Sequence, residues 1–272
     1  MSTPRRAWPR RVVPVAGGLL GAALVGLLAI PLFALVASVT PADFASGLRH
    51  PLFGRALRLS LQTTVVSLGL TVVLGTPLSW WLASSSSRAT RIVSVLVEAP
   101  IVIPPAVVGV ALLQTFGAQG VFGPALHDVG FRIPFTPVAV VLAQVVVSAP
   151  FFVQAATSAF REIDRDTIAV ARTLGATPAG AFLRVALPIA MPGLLSGASL
   201  AWARSLGEFG ATLLFAGNMP GTTQTLPLAI FTALESDVRL AVVFSLFLAG
   251  LGMVLLAGLR LLSKLRPTLR PR

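Results

Sequence analysis

The chain has 272 residues, 55% of them hydrophobic and only 11% charged, with a mean hydropathy of +0.88, a balance that excludes an ordinary soluble domain. Its net charge of +12 does not point to nucleic acid, because the arginines gather at the ends of apolar runs and no aromatic-interleaved basic patch accompanies them. There is no cysteine, so neither a disulfide framework nor a thiolate metal site is available.

The first apolar run spans about Val12 to Val39 and follows Arg5, Arg6, Arg10 and Arg11. It outlasts the roughly 7–15 apolar residues of a secretory signal, so an uncleaved signal-anchor helix is expected. Gly17 and Gly21 form a GxxxG spacing, a face for close helix contact. Further runs at about Leu59–Ala83, Ile92–Phe116, Ile133–Phe160, Met191–Gly217 and Val238–Leu262 each approach the about 20 residues a helix needs to cross hydrocarbon. The expectation is an all-α, polytopic helical membrane protein with about six transmembrane helices. It divides into an N-terminal tail at 1–11, one transmembrane domain at 12–262 and a basic tail at 263–272.

Orientation follows from the Lys and Arg flanks. With the N-terminus inside, the cytoplasmic segments outnumber the outer ones in Lys and Arg by three to one, which places both termini in the cytoplasm. Trp80 and Trp81 close the second run before Ser84–Ser87, Arg88 and Arg91, where an interfacial aromatic anchor is expected. Pro104 and Pro105 should kink the third helix. The outer loops Gly117–Pro137 and Asn218–Pro227 are rich in Gly and Pro, and the only histidines, His50 and His127, are expected in solvated loops without metal-ligand spacing.

Two charges fall near the middle of the fifth run. Arg204 and Glu208 are four residues apart, hence on one face of a helix, and an unpaired charge at mid-bilayer costs about 2.5–3.5 kcal/mol on insertion scales. They read as a structural ion pair or, alternatively, as a polar gate lining an anion path. Gly193, Gly197, Ala201 and Ser205 form a small-residue stripe on the same helix, for packing within the subunit or across a dimer. Glu98, just inside the third run, reads as a carboxylate snorkelling to the interface or as a gate contact.

The longest cytoplasmic stretch, Arg161–Pro188, has the punctuation of two short helices at a sharp angle. Asp164 or Asp166 can cap a helix that ends near Leu174, and Gly175 stands where a left-handed residue belongs. Thr177 and Pro178 are suited to N-cap and first turn of a second helix, running to about Val185 before Pro188 stops it. Ile168, Leu174, Phe182, Leu183 and Val185 need an apolar surface to cover, which on the cytoplasmic face only the membrane or, as the sharper reading, a partner protein offers.

This stretch resembles the coupling motif of bacterial ABC importer permeases: Glu-Ala-Ala, three residues, Gly, nine residues, Ile, one residue, Leu-Pro. The spacing is kept on Ala169, Val170, Ala171, Gly175, Val185, Leu187 and Pro188, with Ala169 standing for the Glu, Val170 for the first Ala and Val185 for the Ile. Ala201–Asn218 and Pro220–Ile230, with Glu98–Pro105, extend the likeness to the molybdate, tungstate and sulfate permeases, nearest the molybdate branch. The resemblance implies a type I ABC importer permease fold and a homodimeric pathway. It implies two cytoplasmic ABC ATPases docked on Thr167, Ala169–Arg172, Gly175, Ala176, Val185, Leu187 and Pro188, and an external oxyanion-binding protein.

The implied cargo is an oxyanion, molybdate first, with sulfate or thiosulfate and tungstate as alternatives. No catalytic or metal residues are expected, and the chain itself holds no cofactor. ATP and Mg would be used by the partner, since the sole lysine is Lys264 and no Gly-rich loop ending in Gly-Lys-Ser/Thr exists. An ion-gradient transporter is the rival, but neither inverted repeats nor coupling acids stand out. A membrane enzyme is disfavoured by the lack of any catalytic cluster.

Overall fold

A computed structural model describes residues 12–265; the N-terminal tail expected at 1–11 and all but the first three residues of the basic tail expected at 263–272 lie outside them. Every regular element in this range is helical. The order is α1 (Val12–Ala37), α2 (Pro41–Leu48), α3 (Pro51–Ser84), α4 (Arg88–Val102), α5 (Pro105–Phe116), α6 (Gly123–Asp128), α7 (Pro137–Arg161), α8 (Arg165–Thr173), α9 (Pro178–Ala181), α10 (Leu187–Leu206), α11 (Gly210–Ala216), α12 (Leu226–Ser236) and α13 (Val238–Leu265). Five helical stretches are long and apolar enough to cross a membrane, and six crossings result if the bent pair α4–α5 counts as one.

The buried core is mainly apolar, but α3 is polar on its buried face and apolar on its outer one. Along α3 the buried face carries Ser60, Thr63, Thr64, Ser67 and Thr71, while Val65, Val66, Leu70, Val73 and Leu74 face outward. Hydrocarbon as solvent inverts the usual helix pattern. The inward hydroxyls are satisfied largely by their own helix: Thr64 Oγ1 donates to the Ser60 carbonyl at 2.7 Å and Thr63 Oγ1 to the Leu59 carbonyl at 2.9 Å. α1 goes further, with no part of its span buried against the rest of the chain, and a Cβ placed at Gly17 or Gly21 would meet no other part of the protein within 4 Å.

α7 is the centre of the bundle, packed between α3 and α10. Helix approach here depends on missing side chains. A Cβ at Gly75 of α3 would sit 2.7 Å from Phe152, and one at Gly197 of α10 would sit 2.9 Å from Ala155, while Gly193 lies directly against Ala159. The small-residue stripe therefore packs within the subunit, which settles the first of its two expected uses. At the other end, Phe53 of α3 packs against Phe244 and edge-on to Phe247 of α13, with ring centroids 5.3 and 4.8 Å apart.

Three boundaries differ from expectation, each for a backbone reason. The third run is not one kinked helix but α4 and α5, inclined at 117°. Ile103, forced extended by the proline after it, has ψ 129°, and Pro105 restarts the chain at the first position of α5. The helix opened by Pro178 does not stop at Pro188 but runs on to Leu206, because a π-helical turn at Phe182–Ala186 intervenes. In it the Leu187 N–H reaches back to the Phe182 carbonyl, so the wider turn makes room for a proline ring that would clash in an α-helix. The fifth run, in turn, ends at Leu206 and resumes as α11.

Elements α2, α6 and α12 were not anticipated. α12, with Leu226, Pro227, Leu228, Ala229 and Ala233 buried, occupies part of what reads in sequence as a connection. Its first amide, Leu226 N–H, donates to Ser60 Oγ on α3 at 2.7 Å. Of the two histidines expected in solvated loops, His50 instead caps α3, its Nδ1 accepting from the Leu52 N–H, and His127 lies in α6.

Replacing Gly197 by Leu should cost about 1–3 kcal/mol by forcing α10 off α7, read as a lowered midpoint in thermal unfolding of the detergent-purified chain. The same change at the open Gly69 of α3, which has nothing within 4 Å, should leave that midpoint unchanged. Equal effects at the two sites would contradict the close approach.

Candidate coupling hairpin and intramembrane charges

The segment between α7 and α10 folds from its caps inward. Asp164 is the N-cap of α8, its carboxylate accepting from the Asp166 N–H at 3.0 Å. At the other end the Gly175 N–H donates to the Arg172 carbonyl at 3.1 Å and the Ala176 N–H to the Ala171 carbonyl at 3.0 Å. With φ of +92° at Gly175, these two bonds are a Schellman motif, the turn that ends a helix through a left-handed residue. Thr177 then caps α9, its hydroxyl accepting from the Gly180 N–H at 3.0 Å, with Pro178 at the first position.

The motif residues are distributed over this hairpin. Thr167, Ala169, Val170, Ala171 and Arg172 ride on α8; Gly175 and Ala176 make the turn; Val185 lies in the π turn, and Leu187 and Pro188 open α10. None of α8 is buried. Leu174 is 83% exposed, Leu183 57% and Val170 56%, an apolar group held out from the body of the protein beside a sharply defined turn.

An aromatic cluster roots the hairpin in the bundle. Phe182, in the π turn, meets Trp80 of α3 at 5.5 Å and Phe160 of α7 at 6.0 Å, and Trp80 meets Phe160 at 5.3 Å. Trp80 thus faces the protein, whereas Trp81 is exposed, and only the latter suits the interfacial anchor expected of both. The hairpin is thereby in direct contact with α3 and α7 and continuous with α10.

Arg204 and Glu208 do pair, with Nη1 and Oε2 2.8 Å apart, but not along one continuous helix face. Glu208 lies past the end of α10, in the break at 207–209, where it is almost wholly buried. Its second oxygen, Oε1, accepts from the Ala211 N–H at 2.8 Å and so caps α11. The carboxylate ties the two halves of a broken helix, offsetting the cost of freed amides at membrane depth. α11 packs on α5, the half-helix after the other break: a Cβ at Gly109 would sit 2.8 Å from the Ala211 carbonyl oxygen, and one at Gly210 3.2 Å from Pro105. Glu98 takes no part in this, being exposed on α4 beside Arg161 and Thr157 in a slot between α4 and α7.

The sequence reading passed over a buried polar seam between α3 and α7. Gln144 Nε2 donates to Thr63 Oγ1 at 3.2 Å, and Ser79 Oγ donates to the Val153 carbonyl at 3.3 Å. The signal was present in the spacing of Ser60, Thr63, Thr64, Ser67 and Thr71 along one helical face. Asn218, Gln224 and Thr232 form a second network, in which Gln224 Nε2 donates to Asn218 Oδ1 at 2.9 Å.

Glu208→Ala removes both the partner of Arg204 and the cap of α11, and should cost about 3 kcal/mol. Glu208→Gln keeps an acceptor for Ala211 and should cost less. Thermal unfolding of the two purified variants checks the order, and a Gln variant as unstable as the Ala variant would remove the capping role.

Residues 75–265 match the family described as the binding-protein-dependent transport system inner membrane component. The molybdenum transport system permease protein ModB of Mycobacterium tuberculosis is 42% identical over 238 residues, covering 87% of this chain and 90% of that protein. ModB of Escherichia coli K12 is 36% identical over 183 residues, covering 67% of this chain and 80% of its own length. Among solved structures, a bacterial alginate ABC transporter in complex with an alginate pentasaccharide-bound periplasmic protein superposes with a TM-score of 0.73 at 18% identity, covering 94% of this chain and 95% of that one. The MetNI methionine ABC transporter in an inward-facing conformation superposes at 0.64 and 22% identity, over 78% of this chain and 95% of that one. These two speak to the fold, which is that of type I ABC importer permeases. The chain is a multi-pass inner-membrane protein and belongs to the binding-protein-dependent transport system inner membrane component family.

Proposed function

We propose that this chain is the permease subunit of an ATP-driven importer whose cargo is an oxyanion, molybdate first. The observation that carries the proposal is the exposed, sharply turned segment Arg165–Ala186, which presents Val170, Leu174 and Leu183 outward within the span of the coupling motif. The permease relatives named for molybdenum transport support the cargo.

In this reading two cytoplasmic ABC ATPases dock on the hairpins of two permease copies, and an external binding protein delivers the anion. ATP and Mg act in the partner; the permease converts its motion into alternating access. Force on α8 travels through the Schellman turn and Phe182 to Trp80 and Phe160, hence into α3 and α7, while the π turn carries it into α10. The paired breaks at 103–104 and 207–209 divide the moving spans into half-helices, the form in which membrane transporters bring backbone close to a polar path.

Gly175→Val tests the docking. A β-branched residue in the left-handed region costs about 1–2 kcal/mol, and nothing crowds the position sterically, so the turn alone should be disturbed. ATPase co-purification and molybdate uptake into proteoliposomes should both fall several-fold, with the permease still folded. Full assembly and transport in that variant would refute the coupling role. Uptake competed by sulfate or tungstate but not supported by molybdate would move the cargo within the oxyanion class.

A further inference from the structure

A cavity of about 700 Å3 opens between the end of α3, the start of α4, the end of α7 and the start of α8. Its wall holds three guanidinium groups, Arg91, Arg161 and Arg165, together with the hydroxyls of Ser84–Ser87, Thr90 and Ser94, and no carboxylate. All nine Asp and Glu residues of the chain fall within the described range, and among the described residues the one salt bridge is Arg204–Glu208. The three arginines are therefore without an ionic partner. Arg161 makes only a long bond, 3.4 Å, from its Nη2 to the Leu82 carbonyl.

Two neighbouring features narrow what the cavity would take. An adjoining slot of about 250 Å3 shares Arg161, Leu82 and Ser94 and contains Thr157, 7% exposed, whose Oγ1 has no hydrogen-bond partner. That slot also carries Glu98, so the anion site proper is the larger, carboxylate-free cavity. On the other side Arg91 also borders an apolar groove along α4, formed by Ile92, Val95 and Leu96 with Arg88 at its head. These three side chains are between 62% and 66% exposed.

We propose that this cavity binds a tetrahedral oxyanion group, with Arg91, Arg161 and Arg165 as its charge partners and the hydroxyls of Ser85, Ser86 and Ser94, which donate to no protein group, as donors. The groove beside Arg91 fits an acyl chain, which makes the phosphate head of an anionic phospholipid the favoured source over a free anion. Because Arg165 is the first residue of α8 and Ile168 also lines the cavity, occupancy ties the hairpin to α3 and α4. The bound group thereby stiffens the element that meets the ATPase. The site stands apart from the cargo reading, since a phospholipid head or inorganic phosphate suffices to fill it.

The test uses the full chain purified in detergent. Native mass spectrometry compares retention of phosphatidylglycerol with phosphatidylcholine, and calorimetry at low salt measures binding of inorganic phosphate. The wild type should show at least a tenfold preference for phosphatidylglycerol, or saturable phosphate binding if the source is free anion. Either signal should fall at least tenfold in R91Q/R165Q and recover substantially in R91K/R165K. Should the double variant unfold, R165Q alone, on an exposed helix, should still weaken binding several-fold. No preference and no phosphate binding in the wild type, or binding unchanged by these substitutions, overturns the proposal.

Discussion

Inside a bilayer no water is available to backbone N–H and C=O groups, so each break in a helix has to be resolved by the protein itself. Three breaks in this chain govern its architecture, and each has its own chemical solution. At the 103–104 break the consecutive prolines Pro104 and Pro105 remove the donors that the turn would orphan, and α4 and α5 part at 117°. At 207–209 the Glu208 carboxylate receives the Ala211 amide. Ahead of Pro188 the helix widens by one residue and continues.

Because lipid gives apolar side chains little reason to prefer the interior, helix association here relies on close approach and polar contacts. Gly75, Gly193 and Gly197 bring α3 and α10 onto α7, and dispersion over these interfaces replaces the hydrophobic effect. Interhelical bonds such as Gln144 to Thr63 and Leu226 to Ser60 add specificity, each worth about 0.6–2 kcal/mol in a membrane. The polar seam on α3 thus adds a few directional contacts to an association carried mainly by close packing.

The hairpin obeys different rules, since its caps face water and are local. Asp164, Gly175 and Thr177 define its angle without help from the bundle. Its attachment is tertiary, through Phe182, Trp80 and Phe160.

What the sequence determined by itself were the features carried by short-range chemistry. The apolar runs placed most spans because their lengths must match hydrocarbon thickness, and the hairpin's caps were readable because Asp, Gly and Thr-Pro act on their own nearest amides. Glu208, Pro188 and α12 were decided by tertiary structure. The carboxylate's role as a cap required the helix to break at 207, the continuation through Pro188 required a π turn, and burial of α12 required the Ser60 hydroxyl from a residue 166 positions away. Each of these depends on which groups meet across helices, and a one-dimensional hydropathy pattern contains periods and lengths but not those meetings.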